Sequence, residues 1–345
     1  MRVWVTGGFF DQSGECFVDE VDLAKAERRR IVTHVPPPEL LVPTKGFTGA
    51  RWLDHRTLLI ASFCAVWRFD AQTWQCTGVL HQPDFNDLHD VHVDRLGGRI
   101  FVCNTGLDGV EAFDLEGRFL GRQSLSPTWF DARRQDGWAV ERTEFPNLVA
   151  SGWNRRAAPE LVRARGGAYG GNVAQSQFHR TPVRDYAHPN HVTIIGGHLA
   201  VTLFAPREVR CLRTFETLAT FEGHPHDGEL FDGLVWTTTT DGLVRGWDPS
   251  GHGWKLVETY DSAATGHVGW CRGIFVSHEG IALALTQLQG RPQYPWRSDA
   301  LEKTETSLLW LERGSGKLLG RVPFSDERRP KLFAILPTSC PAVRT

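Results

Sequence analysis

Four stretches of the chain carry imidazole, two of them next to carboxylate, each at the start of a short apolar segment. They are Asp87-Leu88-His89-Asp90-Val91-His92-Val93, His188-Pro189-Asn190-His191-Val192, His224-Pro225-His226-Asp227-Gly228-Glu229 and Gly266-His267-Val268-Gly269-Trp270-Cys271. Imidazole binds zinc, copper, iron and nickel, with bonds of ~2.0–2.2 Å. No His-x-x-x-His spacing is needed if each histidine arrives on a separate repeat. The pattern therefore predicts one divalent transition metal held by His89, His191, His226 and His267. His92, His188 and His224 are the reserves within each pair. Asp90, Asp227 and Glu229 are placed to hydrogen-bond the ligand imidazoles and fix their tautomers; turn-capping or surface carboxylates are their other reading. No side chain is assigned a catalytic role from the sequence alone. Cys271 reads as a buried structural thiol rather than a ligand or nucleophile.

A repeat must bring such residues together. Strand-length apolar runs bounded by Gly, Asp, Asn and Pro recur along the chain, and helical periodicity is scarce. One phrase returns as Arg68-Phe69-Asp70-Ala71, Ala112-Phe113-Asp114-Leu115 and Gly246-Trp247-Asp248-Pro249, each at a turn between strands. Aligned on it, four-strand units cover about 46–82, 87–126, 188–223, 226–261 and 267–325. Their spacing is that of propeller blades, roughly forty residues once insertions are removed. Residues 331–336 form a lone first strand, and residues 2–10, 15–23 and 29–35 supply the other three. The expected fold is all-β: a single six-bladed propeller over residues 1–345, closed by its N-terminal three strands and its C-terminal strand. Closure removes exposed sheet edges.

Two insertions interrupt the period, 127–187 and 289–305. Both join strand ends that lie, with the histidine clusters, on one face of an up-and-down propeller. The longer one is aromatic and basic, is expected to be partly helical, and is read as a lid over the histidine-bearing face. Its aromatic residues suit a small-molecule pocket as well as a local core.

Composition narrows the partners. The net charge of -2 disfavours nucleic acid or a membrane surface. Seven scattered cysteines without a Cys-x-x-Cys pair suit reduced thiols in a cytoplasm. The N-terminal segment lacks the apolar run of a signal peptide. The paired glycines read as turns, since none opens a helix after a strand.

Two resemblances arise from these residues. Phe221-Glu222-Gly223-His224 with Gly246-Trp247-Asp248 resembles one WD repeat, in one unit of the six. The four axial histidines with carboxylates behind them resemble the carotenoid-cleaving oxygenases. Those propeller enzymes hold one non-haem iron on four histidines from different blades. The similarity is one of arrangement: that family has seven blades and a longer chain, and none of its sequence motifs occurs here. It implies an Fe(II) enzyme of oxygenase type acting on a small molecule at the axis. Zinc, copper or nickel would serve instead as a Lewis acid for lyase or hydrolase chemistry. The virginiamycin-lyase type is similar in style; the carboxylate-and-Asn metal pattern of gluconolactonase-type propellers is not matched. The rival expectation is a scaffold whose loop-bearing face binds a protein.

Overall fold

The computed structural model describes residues 1–38, 40–42, 46–82, 85–125, 187–288 and 304–341. They form six four-stranded antiparallel sheets in a ring. The first blade in the chain holds β1 (Arg2–Phe9), β2 (Cys16–Asp22) and β3 (Glu27–His34). The second holds β4 (Ala50–Trp52), β5 (Thr57–Ala61), β6 (Val66–Asp70) and β7 (Cys76–Leu80). The third holds β8 (Leu88–Asp94), β9 (Arg99–Asn104), β10 (Gly109–Asp114) and β11 (Phe119–Ser124). The fourth holds β12 (Pro189–Ile195), β13 (His198–Leu203), β14 (Glu208–Cys211) and β15 (Thr217–Thr220). The fifth holds β16 (Pro225–Phe231), β17 (Leu234–Thr239), β18 (Leu243–Asp248) and β19 (Lys255–Asp261). The sixth holds β20 (Trp270–Ser277), β21 (Gly280–Thr286), β22 (Ser307–Leu311) and β23 (Leu318–Pro323). The last strand, β24 (Pro330–Pro337), lies beside β1 and completes the first blade in the order β24-β1-β2-β3.

The recurring Asp phrase performs the turn chemistry expected of it. Asp70 accepts from the backbone N–H groups of Gln72 and Thr73, and Asp248 from that of Ser250. The core consists of the apolar faces stacked between neighbouring blades. Phe17, Leu332 and Ala284 share one such cluster; Trp236, Cys271 and Leu309 share another. Burial pushes the Cys271 thiol well above its ordinary range, as suits a packing residue. Among the described residues the only helical turns are 3-10 segments at Thr105–Leu107 and Ser262–Thr265. No helix there is long and apolar enough to cross a membrane. The expected lid, residues 127–187, lies outside the described residues except for Ala187, and so does nearly all of the second insertion.

The innermost strands β8, β12, β16, β20 and β24 share a feature absent from the sequence reading. Each carries one extra residue against its partner near its start. The extra residue is His89 in β8, Asn190 in β12 and Arg272 in β20, and falls at His226–Asp227 in β16. A bulge reverses the side-chain alternation and re-aims the residues after it.

The inner strands also approach each other closely. A Cβ on Gly273 would lie 1.7 Å from the Phe333 carbonyl oxygen. The Gly273→Ala protein is therefore expected to lose about 1–3 kcal/mol in denaturant unfolding, the usual cost of overpacking. Gly109→Ala, whose Cβ would meet nothing nearer than 3.5 Å, is expected to lose much less. Equal losses would show that the two inner strands do not meet as described.

Candidate functional site

The inner strands converge on an axial channel, and a cavity of about 350 Å³ opens along its lower half, toward the strands' C-terminal ends. Its polar end is formed by Arg51, His92, His191, Thr193 and Glu229. The remaining wall is mostly apolar, with Trp52, Leu96, Ile194, Leu230, Ile274 and Leu336, and is interrupted by Asp94 and Arg95.

His191 is the centre of the polar layer and is 1% exposed. Its Nδ1 lies 2.8 Å from Asp90 Oδ2 on β8 and 3.2 Å from Asp227 Oδ1 on β16. Both approaches fall off the ideal N–H line, so they are charge contacts more than aligned hydrogen bonds. Nε2 lies 2.9 Å from Thr193 Oγ1. Strand alternation explains the last contact: residues two apart on β12 share a face. Gly228 makes room for the ring, since a Cβ there would sit 2.9 Å from His191 Cδ2.

The carboxylates also reach across blades. Asp90 Oδ2 accepts from Val192 N at 3.3 Å, Asp227 Oδ2 from Ile274 N at 3.2 Å, and Glu229 Oε2 from Val276 N at 2.7 Å. The turn-capping reading of these residues gives way to this one. Asn190 continues the pattern by donating to Pro225 O at 3.3 Å.

Their protonation differs. Burial would raise the Asp90 carboxyl, but the His191 imidazole and the Arg51 guanidinium outweigh it and hold it at about 2. Burial pushes Glu229 up to about 8, against the Val276 N–H and Arg51, with Asp227 adding repulsion. Asp227 is also raised by burial. Burial and the Arg51 charge lower His92 to about 3, so its ring is neutral. At neutral pH the layer therefore holds an ionised Asp90, a largely protonated Glu229 and a cationic Arg51.

The four predicted metal ligands do not share one centre. His89 and His226 lie near each other at the loop-bearing end, with ring centroids 5.4 Å apart. His188, a reserve, is 5.1 Å from His89. His226 is 6% exposed, and burial together with the charges of His89, Arg272 and His188 lowers it well below its ordinary value. His191 sits in the Asp90–Asp227 layer instead. His267 is half-buried, and the charges it feels are those of Arg321 on β23, an outermost strand, and Glu305. Among the described residues no group of three or more His, Cys, Asp or Glu side chains could hold a metal ion. Among the described residues, then, His89, His191, His226 and His267 are not gathered into the expected four-histidine site for iron, zinc, copper or nickel. His224 turns to the Phe204 carbonyl and stacks on the Phe204 ring, with centroids 4.3 Å apart.

The sequence reading missed Arg51 and Thr193. The signal for Thr193 was present, because His191 and Thr193 are two apart on a strand. Arg51 carried none, on a strand of three residues.

No protein-family model matches the sequence, and no curated protein matches it. Solved structures do match over nearly the whole chain. A protein of unknown function from Bacteroides caccae is similar at a TM-score of 0.59 and 10% identity, covering 97% of this chain and 98% of that one. A chain of the nidogen/laminin complex is similar at 0.56 and 11%, covering 99% and 100%. A proposed 6-phosphogluconolactonase from Bacteroides fragilis is similar at 0.51 and 9%, covering 95% and 83%. At such identities the likeness is one of fold, and what it shows for this chain is the β-propeller.

Proposed function

We propose that this chain is an enzyme that cleaves a small carbonyl compound by acyl transfer at the propeller axis. The observation that carries the reading is the line Asp90–His191–Thr193, with contacts of 2.8 Å and 2.9 Å, opening on the cavity. A hydroxyl, a base within hydrogen-bond reach and a group orienting that base make an activated nucleophile on any fold.

Thr193 Oγ1 passes its proton to His191 Nε2 as its oxygen attacks the carbonyl carbon. Asp90, ionised, faces Nδ1 and stabilises the imidazolium that forms. The carbonyl π electrons move to oxygen, and the Arg51 guanidinium and the protonated Glu229 supply the donors for that oxyanion. Collapse breaks the bond to the leaving oxygen, which takes the proton from His191. A water molecule repeats the sequence on the acyl-threonine, releasing the acid and restoring Thr193. Every group in the sequence lines the cavity or stands directly behind it.

Hydrolysis of p-nitrophenyl esters of graded acyl length tests the reading. Thr193→Val is expected to lower kcat by about 10²-fold or more, the scale of removing an acid–base or nucleophilic group, with little change in Tm. Thr193→Ser is expected to retain turnover. If wild type and Thr193→Val hydrolyse equally, or neither exceeds the blank, the reading fails and the scaffold alternative leads.

Glu229 sets a pH signature. Its donor form is lost as pH rises through about 8, so kcat/KM is expected to fall above that value. Between its ordinary value of 4.5 and about 8 the folded chain keeps a proton the unfolded chain has released. Stability is therefore expected to decline as pH rises across this window, and Glu229→Gln to flatten that part of a Tm-against-pH curve. An unchanged curve in Glu229→Gln would show that the carboxyl ionises normally.

A further inference from the structure

We infer that the natural substrate is an uncharged carbonyl compound, an ester with one compact apolar body, and that the cavity selects against the corresponding carboxylates. This rests on the reading of the cavity as the active site.

The first argument is the donor inventory. A guanidinium offers only donors, and a protonated carboxyl offers one. Arg51 and Glu229 thus ask the ligand's head for an acceptor oxygen. The second argument is charge. The Arg51 guanidinium is already matched by the ionised Asp90, with Asp227 close behind on the other side of His191. A carboxylate arriving here would add a negative charge to a layer that holds its cation in balance. It would also face Glu229, which is protonated because burial disfavours one more anion at this depth. A neutral carbonyl takes the same donors without that repulsion.

The third argument is the opposite wall. Trp52, Leu230, Ile274, Ile335 and Leu336 line it; Asp94 and Arg95 also reach the cavity but are engaged with Gly97 N and with the Leu53 and Trp52 carbonyls, so a polar tail against the apolar residues would give up its water for little return. The volume of about 350 Å³ sits at the small end of ligand sites, which suits a body of several carbons rather than a polymer or nucleotide.

The non-hydrolysable pair 2-octanone and octanoate separates the possibilities by calorimetry at pH 7. The ketone is expected to bind at least tenfold more tightly than the carboxylate. Raising the pH to 9 is expected to weaken ketone binding in wild type, as Glu229 loses its proton, and to leave Glu229→Gln unaffected. Leu230 is half exposed at the cavity wall, so Leu230→Arg is tolerable to the fold. It is expected to weaken the ketone at least tenfold and to narrow or reverse the preference. Octanoate binding as tightly as octanone in wild type overturns the substrate class while ester turnover through Thr193 still stands. Ketone binding untouched by Leu230→Arg places the ligand elsewhere and overturns the proposal. Binding of neither probe overturns both this inference and the active-site reading.

Discussion

Six inner strands face the axis with one edge unpaired, and those backbone groups must find partners without a neighbouring strand. This constraint organises the channel. Side chains from one blade reach the inner strand of the next: Asp90 to Val192 N, Asn190 to Pro225 O, Asp227 to Ile274 N and Glu229 to Val276 N. Thr48 does the same for Leu88 O and Thr105 for Pro189 O. At the closing blade, Thr6 of β1 bonds the backbone of Ala334, and Thr286 of β21 in the sixth blade bonds that of Leu332. Polar residues on the axis are thus required by the ring before any chemistry is asked of them.

That requirement explains why the carboxylates cluster and why they do not titrate alike. Three acids within one layer cannot all ionise when a single guanidinium, Arg51, is the cation among them. Asp90, held down by the His191 imidazole beside it and by the Arg51 guanidinium, takes the ionised role. Glu229, nearer the cavity, has less opposing charge and keeps its proton to about pH 8. A structural need for acceptors on adjacent blades has thereby produced an ionised acid, Asp90, beside the imidazole and a protonated acid, Glu229, at the same cavity. Environments that push paired carboxyls apart mark the acid and base roles in many sites.

Much of the architecture was legible because blade repeats leave local marks. Asp70, Asp114 and Asp248 flag the third-to-fourth turns, and a lone strand at residues 331–336 signals closure. The candidate site was legible in composition but not in geometry. His89, Asp90, His191, His226, Asp227 and Glu229 all approach the axis, yet the alternation that sorts them breaks at the bulges of β8, β12 and β16. Each bulge separates the residue before it from those after it by depth as well as direction. His89 and His226 fall at the bulges, toward the loop-bearing end, and His191 comes just after one. Equal spacing in sequence therefore became two levels in space. His267 differs in another way: it precedes Trp270, where β20 begins, and the charges it feels are those of Arg321 and Glu305.

The same bulges determine what the channel can hold. Above them, His89 and His226 crowd the axis with Arg272 nearby, and burial, helped by the neighbouring charges, drives His226 toward its neutral form. Below them, regular alternation resumes and the inner strands present Val93, Ile194, Leu230, Ile274 and Ile335 to open space. The polar layer at Asp90, His191 and Asp227 is the boundary between the two. A molecule entering the cavity from the apolar end meets this boundary as a floor of donors over a compensated charge. The fold leaves one place where a reactive oxygen can be both desolvated and held, and Thr193 lies there, two residues along the strand from the imidazole that would take its proton.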